Sequence, residues 1–258
     1  MIENSVVTAT AVTAFMTVIV PVITVIVLSI KKKLSPMAFF CGVGSFFISQ
    51  VILRIPILQM LSRYEGYQSF VSTKIGLVII GGLTAGLFEE TARLAFAKFI
   101  LKDKLSYKNT VSFGLGHGFC EMIILVGLNS VIYLIMMLLL NSGSLETALS
   151  TSYSAENVSQ ITDLLTSFTA ESLYLSIIER CSAVMYHVFA TTLIFEGINR
   201  KKTVRYYLLA ILAHTLLNSI AVLIPNVYVV EIVLLALTVT ATVFTVKQKK
   251  YFSNFQEE

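Results

Sequence analysis

The sequence is poor in charged residues, and this scarcity decides the broad class of the protein. Asp, Glu, Lys and Arg make up 13% of the 258 residues, whereas a soluble domain carries roughly 25%. Hydrophobic residues make up 56%. A soluble fold of this length could bury a core, but it could not cover its surface with so few ionisable groups. We therefore expect most of the chain to face lipid or other helices.

Cysteine and tryptophan are scarce as well. The three cysteines, Cys41, Cys120 and Cys181, lie inside apolar segments, which argues against a disulfide framework. No tryptophan is present, so tyrosines are expected to anchor the helix ends at the membrane surface. The net charge of +4 comes from short basic clusters beside apolar runs. Such clusters indicate membrane topology, and no nucleic-acid partner is expected.

Seven apolar runs are long enough to cross about 30 Å of hydrocarbon, which takes roughly 20 helical residues. They lie at about 6–30, 36–62, 75–100, 109–140, 174–198, 206–224 and 227–246. The sequence therefore predicts an all-α, polytopic membrane helix bundle with about seven transmembrane helices. We expect a single membrane domain over 1–258, with a motif-bearing core at about 75–224 and an external loop at about 141–173. Within that loop a short amphipathic helix is expected around Val158 to Phe168.

The distribution of lysine and arginine predicts the orientation. Alternate connections are basic, at 31–33, 102–108, 200–205 and 247–250, whereas the opposite set holds only Arg63 and Lys74. The loop at 141–173 has four acidic residues and no basic one. By the positive-inside rule, the N-terminus is expected outside and the C-terminus in the cytoplasm.

Ionisable residues inside the predicted spans are the strongest functional signal. One acid or base at the centre of a membrane helix costs roughly 2.5–3.5 kcal/mol. Such residues must therefore pair, bind something or line water. The third span contains Glu89, Glu90 and Arg93, the fourth His117 and Glu121, the fifth Glu179, Arg180 and His187, and the sixth His214 together with the asparagine Asn218.

Depth and spacing predict which of these residues meet. The two glutamates and all three histidines lie roughly 12–17 Å from the predicted cytoplasmic ends of their spans, at 1.5 Å per residue. Arg93 follows the Glu pair by three and four residues, so it can pair with either carboxylate. Glu121 and Asn218 each lie one turn after a histidine, on the same helix face. Glycines precede the Glu pair and surround His117, which favours close packing of the third span against the fourth.

Structural interpretations compete with functional ones. Glu90 and Arg93 could form an ion pair that fixes helix register, and Glu121, Glu179 and Arg180 could play a supporting or purely structural part. A single intramembrane histidine is more often an interhelical hydrogen-bonding group, and Asn218 could do the same. Three histidines at one depth, beside two carboxylates, favour a functional site.

This set of residues suits hydrolytic chemistry. Imidazoles with a carboxylate are typical ligands of Zn²⁺, whose catalytic sites keep one position open for water. The bound water then becomes a nucleophile at neutral pH, a carboxylate can act as general base, and Asn218 could donate a hydrogen bond to an oxyanion. A metal-free site, in which Glu and His together activate water, is also possible.

Three motifs carry a family resemblance. They are E-E-x-x-R at Glu89–Arg93, F-x-x-x-H at Phe113–His117 and H-x-x-x-N at His214–Asn218. They resemble the type II CAAX prenyl endopeptidase and bacteriocin-processing superfamily, whose usual E-E-x-x-x-R is one residue longer. The whole chain, including G-x-G-H-G-x-x-E at Gly114–Glu121 and the isolated His187, is similar to the divergent YhfC branch of intramembrane metalloproteases.

The resemblance implies a role for each motif residue. Glu89 would activate water, His117 and His214 would bind a divalent metal or orient the water, and Asn218 would steady the oxyanion. Arg93 would position the Glu pair, and His187 is taken as a further metal ligand. The shorter gap before Arg93 leaves open whether Glu89 or Glu90 faces the site, because one residue turns a helix by about 100°.

Three functions follow from these observations. The first is an intramembrane endopeptidase that lies in lipid, in a bacterial cell membrane, and cleaves membrane-associated or hydrophobic polypeptides. The second is a proton- or ion-coupled transporter, since Glu and His chains also mark ion paths. The third is a non-catalytic membrane scaffold that keeps the motifs for packing.

Overall fold

A computed structural model describes residues 1–102 and 104–254, with side chains described through Phe252. The described chain is helical and contains no strand, which confirms the all-α class. In chain order its helices are α1 (Asn4–Ile30), α2 (Pro36–Leu61), α3 (Glu65–Val71), α4 (Lys74–Leu101), α5 (Tyr107–Asn141), α6 (Leu145–Leu149), α7 (Ala155–Ser167), α8 (Ala170–Asn199), α9 (Thr203–Leu223) and α10 (Val227–Asn254).

Seven of these helices are long and apolar enough to cross a membrane, namely α1, α2, α4, α5, α8, α9 and α10. The shortest, α9, has 21 residues, which span about 30 Å at 1.5 Å per residue. The predicted seven spans are therefore confirmed, and the protein is an integral, multi-pass membrane protein. Which terminus faces the cytoplasm stays a prediction.

The membrane helices bury many small and polar side chains and expose many large apolar ones. In α1, Thr10, Thr13 and Thr17 are fully buried, and each hydroxyl donates to the backbone carbonyl four residues earlier. Phe40 and Ile232, by contrast, are 67% and 68% exposed. Lipid is as apolar as leucine, so helices in a bilayer associate through close packing and hydrogen bonds rather than through burial of leucines.

The chain divides into two compact units. The first contains Met1–Val25 and Glu121–Arg180, and the second contains Ile26–Cys120 and the described residues from Cys181 onward. The single domain expected over 1–258 stays a prediction.

In the first unit, the predicted loop at about 141–173 contains helices α6 and α7, and α7 covers most of the short helix that was expected around Val158 to Phe168. The buried Leu145 and Leu165 of these helices belong to one apolar cluster with the N-terminal residues Ile2, Val6 and Ala9. Asn141, at the end of α5, accepts a hydrogen bond from the Ile2 amide at 2.6 Å and donates one to the Ile2 carbonyl at 3.0 Å. The N-terminal segment is thereby held against the end of α5.

In the second unit, glycines allow helix backbones to touch. A Cβ on Gly114 would lie 2.4 Å from Cα of Val188 on α8, and one on Gly116 would lie 2.0 Å from the Phe39 carbonyl oxygen on α2. A Cβ on Gly86 of α4 would lie 3.1 Å from the carbonyl oxygen of Ile211 on α9. The prediction that these glycines pack the third span against the fourth was therefore wrong. Sequence spacing identified the close contacts but not the partner helices.

Short π-helical stretches interrupt several of the long helices. In the second unit they are Phe47–Arg54 in α2, and Val78–Leu83 and Phe96–Leu101 in α4. Such stretches widen the helix and shift its register, and they are frequent near functional sites. All three lie on α2 or α4, and α4 is the helix that holds Glu89.

Candidate metal centre

Helix α4 carries the two adjacent glutamates into the interior of the second unit. Glu89 is 5% exposed and Glu90 is fully buried. Because neighbouring helical residues point about 100° apart, the two carboxylates face different helices. Glu89 faces α2 and α5, and Glu90 faces α9 and the next turn of its own helix.

The Glu89 carboxylate lies at the centre of the three histidines. Its Oε2 atom is 2.9 Å from Nε2 of His117, 3.8 Å from Nε2 of His214 and 4.0 Å from Nδ1 of His187. Its Oε1 atom accepts a hydrogen bond from the Gln50 amide at 2.6 Å. The structure thus brings together four of the five residues that the sequence placed at one depth, and the fifth, Glu90, contacts His214 from the other side.

The hydrogen bonds of His117 determine which ring nitrogen holds a lone pair. The hydroxyl of Ser45 donates to the Gly42 carbonyl at 2.8 Å, and its oxygen lies 2.8 Å from Nδ1 of His117. The Ser45 proton is used on the carbonyl, so Nδ1 of the ring donates to Ser45 Oγ. In the neutral ring, Nε2 then presents a lone pair to Glu89 Oε2.

His214 is arranged in the same way by the second glutamate. Its Nδ1 lies 2.9 Å from Oε1 of Glu90, whose other oxygen accepts from the Arg93 guanidinium at 2.9 Å. A carboxylate paired with arginine is an acceptor, so His214 Nδ1 donates and Nε2 carries the lone pair. A carboxylate behind a histidine is the common support of a metal-binding ring.

Arg93 also fixes the third histidine. The fully buried guanidinium donates to Nδ1 of His187 at 3.0 Å and to Thr191 Oγ1 at 2.7 Å. Arginine only donates hydrogen bonds, so Nδ1 of His187 is the acceptor. The neutral His187 ring therefore carries its proton on Nε2. One guanidinium thus links the second glutamate to His187.

The donor set fits a divalent cation. Three electron-pair donors converge, namely His117 Nε2, His214 Nε2 and Glu89 Oε2, and two of them face each other at 2.9 Å. Two lone pairs at this distance require a proton or a cation between them. In tetrahedral sites with ligand bonds of about 2.0–2.1 Å, neighbouring ligand atoms lie about 3.3 Å apart. The observed 2.9 and 3.8 Å bracket this value. By distance alone, ring and carboxylate atoms of Glu89, His117 and His187 also lie within 4.8 Å of one another, but the Arg93 guanidinium occupies the Nδ1 lone pair of His187.

Two polar residues of α2 belong to this network although no sequence motif pointed to them. Gln50 contacts Glu89, and Arg54 donates to the Gln50 side-chain oxygen at 3.0 Å. The available signal was a polar pair at i and i+4 inside an apolar run, which marks one face of a membrane helix. Ser45, which supports His117, carried no comparable signal.

Asn218 lies one turn beyond His214 on α9, and it is half-buried. Its amide nitrogen is 3.4 Å from the Gly81 carbonyl on α4, eight positions before Glu89. This contact links α9 to α4. The assignment of Asn218 as an oxyanion donor stays a prediction.

The remaining predicted residues lie in the first unit. Arg180 pairs with Glu121 at 2.8 Å and also with its neighbour Glu179. The three side chains form one ion-pair cluster, so each charge has a partner. Their supporting role in the site stays a prediction.

Comparison with known proteins identifies the family. Residues 16–239 match the family described as YhfC intramembrane metalloprotease. The chain is also similar to the protein described as "Uncharacterized membrane protein YhfC" of Bacillus subtilis (strain 168), with 27% identity over 228 residues that cover 86% of this chain and 88% of that protein. No solved structure matches. The matched region contains all of the polar residues of the candidate site, and the chain belongs to the YhfC intramembrane metalloprotease family.

Proposed function

We propose that the protein is an intramembrane metallopeptidase that hydrolyses peptide bonds of membrane-associated polypeptides. One observation carries the proposal: the lone pairs of His117 and His214 converge on the Glu89 carboxylate inside membrane-spanning helices. The description of the family as intramembrane metalloproteases supports the same activity.

The proposed metal ligands are His117 Nε2, His214 Nε2 and Glu89 Oε2. Zn²⁺ is the proposed cation, since its catalytic sites combine three nitrogen and oxygen ligands with one open position. A divalent cation at this place supplies a nucleophilic water at neutral pH and polarises the scissile carbonyl.

The side chains around these ligands set the protons. Gln50 holds the partner oxygen of the proposed ligand atom Glu89 Oε2. Glu90 keeps the proton of His214 on Nδ1, and Arg93 neutralises Glu90. This arrangement supports Glu89 as the carboxylate that faces the cation and Glu90 as the positioning carboxylate. The role of Glu89 in activating water stays a prediction.

His187 receives a different role from the predicted metal ligand. Its Nδ1 lone pair is engaged by the Arg93 guanidinium at 3.0 Å. We therefore assign His187 as a positioning residue beside Glu89 rather than as a metal ligand. A single guanidinium then supports both the Glu90 carboxylate and the His187 ring.

An apolar groove beside the site supports a membrane-borne substrate. It has a volume of about 540 Å³ and is lined mainly by α8, α9 and α10 side chains, among them Tyr186, Leu193, Leu212, Leu216 and Phe244. The Tyr186 ring lies 5.1 Å from the His214 ring and 5.5 Å from the His187 ring, between centroids. The groove wall therefore touches the site, and an apolar polypeptide segment suits its lining.

Metal analysis and cleavage together test the proposal. We expect purified wild-type protein in detergent to bind about one Zn²⁺ per chain, and His117→Ala and His214→Ala to lose it. In cells, Glu89→Gln should leave a folded protein and let an uncut membrane polypeptide accumulate. Chelation should abolish cleavage of that polypeptide by wild-type protein, and added Zn²⁺ should restore it.

Glu196→Gln is the matched control, because Glu196 is a buried carboxylate on α8 that pairs with Arg200. It should keep both metal and cleavage. If the histidine variants cleave the polypeptide as well as wild-type protein does, the proposal is wrong. Flux through proteoliposomes that depends on His117 would favour a transporter, and a folded protein with neither metal nor cleavage would favour a scaffold.

A further inference from the structure

Gln50 holds the oxygen of Glu89 that faces away from the histidines. Gln50 is 4% exposed, and its amide nitrogen donates to Glu89 Oε1 at 2.6 Å. The other carboxylate oxygen, Oε2, is the atom nearest to the ring nitrogens of His117 and His214. Rotation of the Glu89 carboxylate away from the histidines would therefore break the Gln50 bond.

Arg54 determines which end of the Gln50 amide faces Glu89. A glutamine amide can flip and present either oxygen or nitrogen. The Arg54 guanidinium donates to Gln50 Oε1 at 3.0 Å, so the oxygen must face Arg54 and the NH₂ group must face the carboxylate. With the opposite orientation, two acceptors would meet at Glu89 and two donors at Arg54.

Arg54 is itself fixed at its other two nitrogens. Its Nε donates to Thr84 Oγ1 at 2.9 Å, and Nη2 donates to the Ile80 carbonyl at 2.7 Å. Gln50 and Arg54 lie in the π-helical stretch of α2, and Ile80 lies in the first π-helical stretch of α4. The two irregular stretches thus face each other through one guanidinium.

We propose that Gln50, oriented by Arg54, is a positioning residue. It holds the proposed ligand atom Glu89 Oε2 toward the other two proposed ligand atoms, His117 Nε2 and His214 Nε2. The proposal rests on the function proposed above. A buried glutamine could serve only to bind two helices together. These hydrogen bonds differ from simple packing because each one orients the next group. Arg54 fixes the Gln50 amide, and the amide holds Glu89 Oε1, the oxygen opposite the proposed ligand atom Oε2.

Zn²⁺ affinity, measured by competition with a chromophoric chelator, separates these roles. Gln50→Met keeps the side-chain length and removes the donor, and we expect it to weaken Zn²⁺ binding about 10–100-fold, as loss of a ligand's hydrogen-bonding partner does. Ser49→Ala is the matched control. Ser49 is a buried neighbour in the same stretch whose hydroxyl donates to the Phe46 carbonyl, so wild-type affinity is expected.

Arg54→Lys provides the second arm. A lysine keeps the charge but cannot hold the amide, Thr84 and Ile80 together. We expect about a 10-fold loss of Zn²⁺ affinity in the wild-type background and no further loss in the Gln50→Met background, because Arg54 acts through Gln50. The Co²⁺-substituted protein should show an altered visible spectrum in both single variants and an unaltered one in Ser49→Ala.

The outcomes distinguish the two proposals. If His117→Ala and His214→Ala lose Zn²⁺ while Gln50→Met and Arg54→Lys bind it like wild-type protein, the positioning role is refuted and the metal site stands. Losses that simply add in the double variant, or an equal loss in Ser49→Ala, also refute the positioning role. Wild-type protein that binds no divalent cation refutes both. If Gln50→Met does not fold, Arg54→Lys carries the comparison with Ser49→Ala.

Discussion

A close backbone approach between α2 and α5 can be opened by one methyl group. Gly42 of α2 lies against α5, and a Cβ at this position would stand 2.0 Å from the Phe113 carbonyl oxygen and 2.8 Å from the His117 backbone nitrogen. Cβ contacts under 3.0 Å are essentially absent from proteins. The substitution Gly42→Ala must therefore push α2 and α5 apart by at least about 1.0 Å, since the obstructing atoms belong to the backbone.

The size of the effect follows from the neighbouring contacts. Ser45, three residues later on α2, lies 2.8 Å from Nδ1 of His117, and a 1 Å displacement stretches this contact to about 3.8 Å, beyond hydrogen bonding. Overpacking of this kind costs about 1–3 kcal/mol of stability. Loss of the bond that holds a metal-binding ring costs about 10–100-fold in metal affinity.

The assay combines Zn²⁺ competition with thermal unfolding in detergent. Gly81→Ala is the control, because a Cβ there would meet only Cγ1 of Val222 at 4.0 Å, and alanine stabilises a helix by roughly 0.5–1 kcal/mol relative to glycine. We expect Gly81→Ala to match or exceed wild-type stability and Gly42→Ala to lose both stability and affinity. A Gly42→Ala protein with wild-type unfolding temperature and wild-type Zn²⁺ affinity would refute the argument from backbone contact.

Three further substitutions probe other links of the structure. Arg93→Ala strands the fully buried Glu90 carboxylate, so equilibrium unfolding in mixed micelles should show a loss of about 3–5 kcal/mol, and a loss under 1 kcal/mol would contradict a buried ion pair. Ser45→Ala removes the acceptor of the His117 Nδ1 proton and should weaken Zn²⁺ binding about 10-fold in the competition assay, whereas unchanged affinity would show that the ring needs no such support. Asn141→Ala removes two hydrogen bonds to the backbone of residue 2 and should cost about 1–3 kcal/mol, with faster hydrogen exchange at the start of α1 and unchanged exchange at Glu89 as the internal control.

The sequence predicted the helical membrane architecture well because that architecture follows from local composition. A lipid environment requires each backbone polar group to bond within its own helix, so apolar run length alone gave the number of spans. The same reasoning drew attention to charges inside the spans, since they are costly in lipid. Helical rise then placed Glu89, His117, His187 and His214 at one depth. In the structure, a ring nitrogen of each histidine lies within 4.0 Å of Glu89 Oε2.

Contacts that depend on which helices are neighbours could not be read from the sequence. The glycines of α4 and α5 predicted close helix packing but did not show which helices pack together. The glycine of α4 contacts α9, and the glycines of α5 contact α8 and α2. Gln50 and Arg54 lie in a span without a recognised motif, so only the tertiary contact with Glu89 gives them a place in the site.

The sequence by itself determined that the protein lies in a membrane, how many spans it has and which polar residues need a partner there. Each of these follows from the free energy of placing a residue in lipid. Tertiary structure alone decided which glutamate lies within 4.0 Å of all three histidines and which ring nitrogens hold lone pairs. Helix rotation sets the first, and the hydrogen bonds donated by Arg93 and accepted by Ser45 and Glu90 set the second. Both depend on side chains that are distant along the chain, from residue 45 to residue 214, and that become neighbours only when the helices pack.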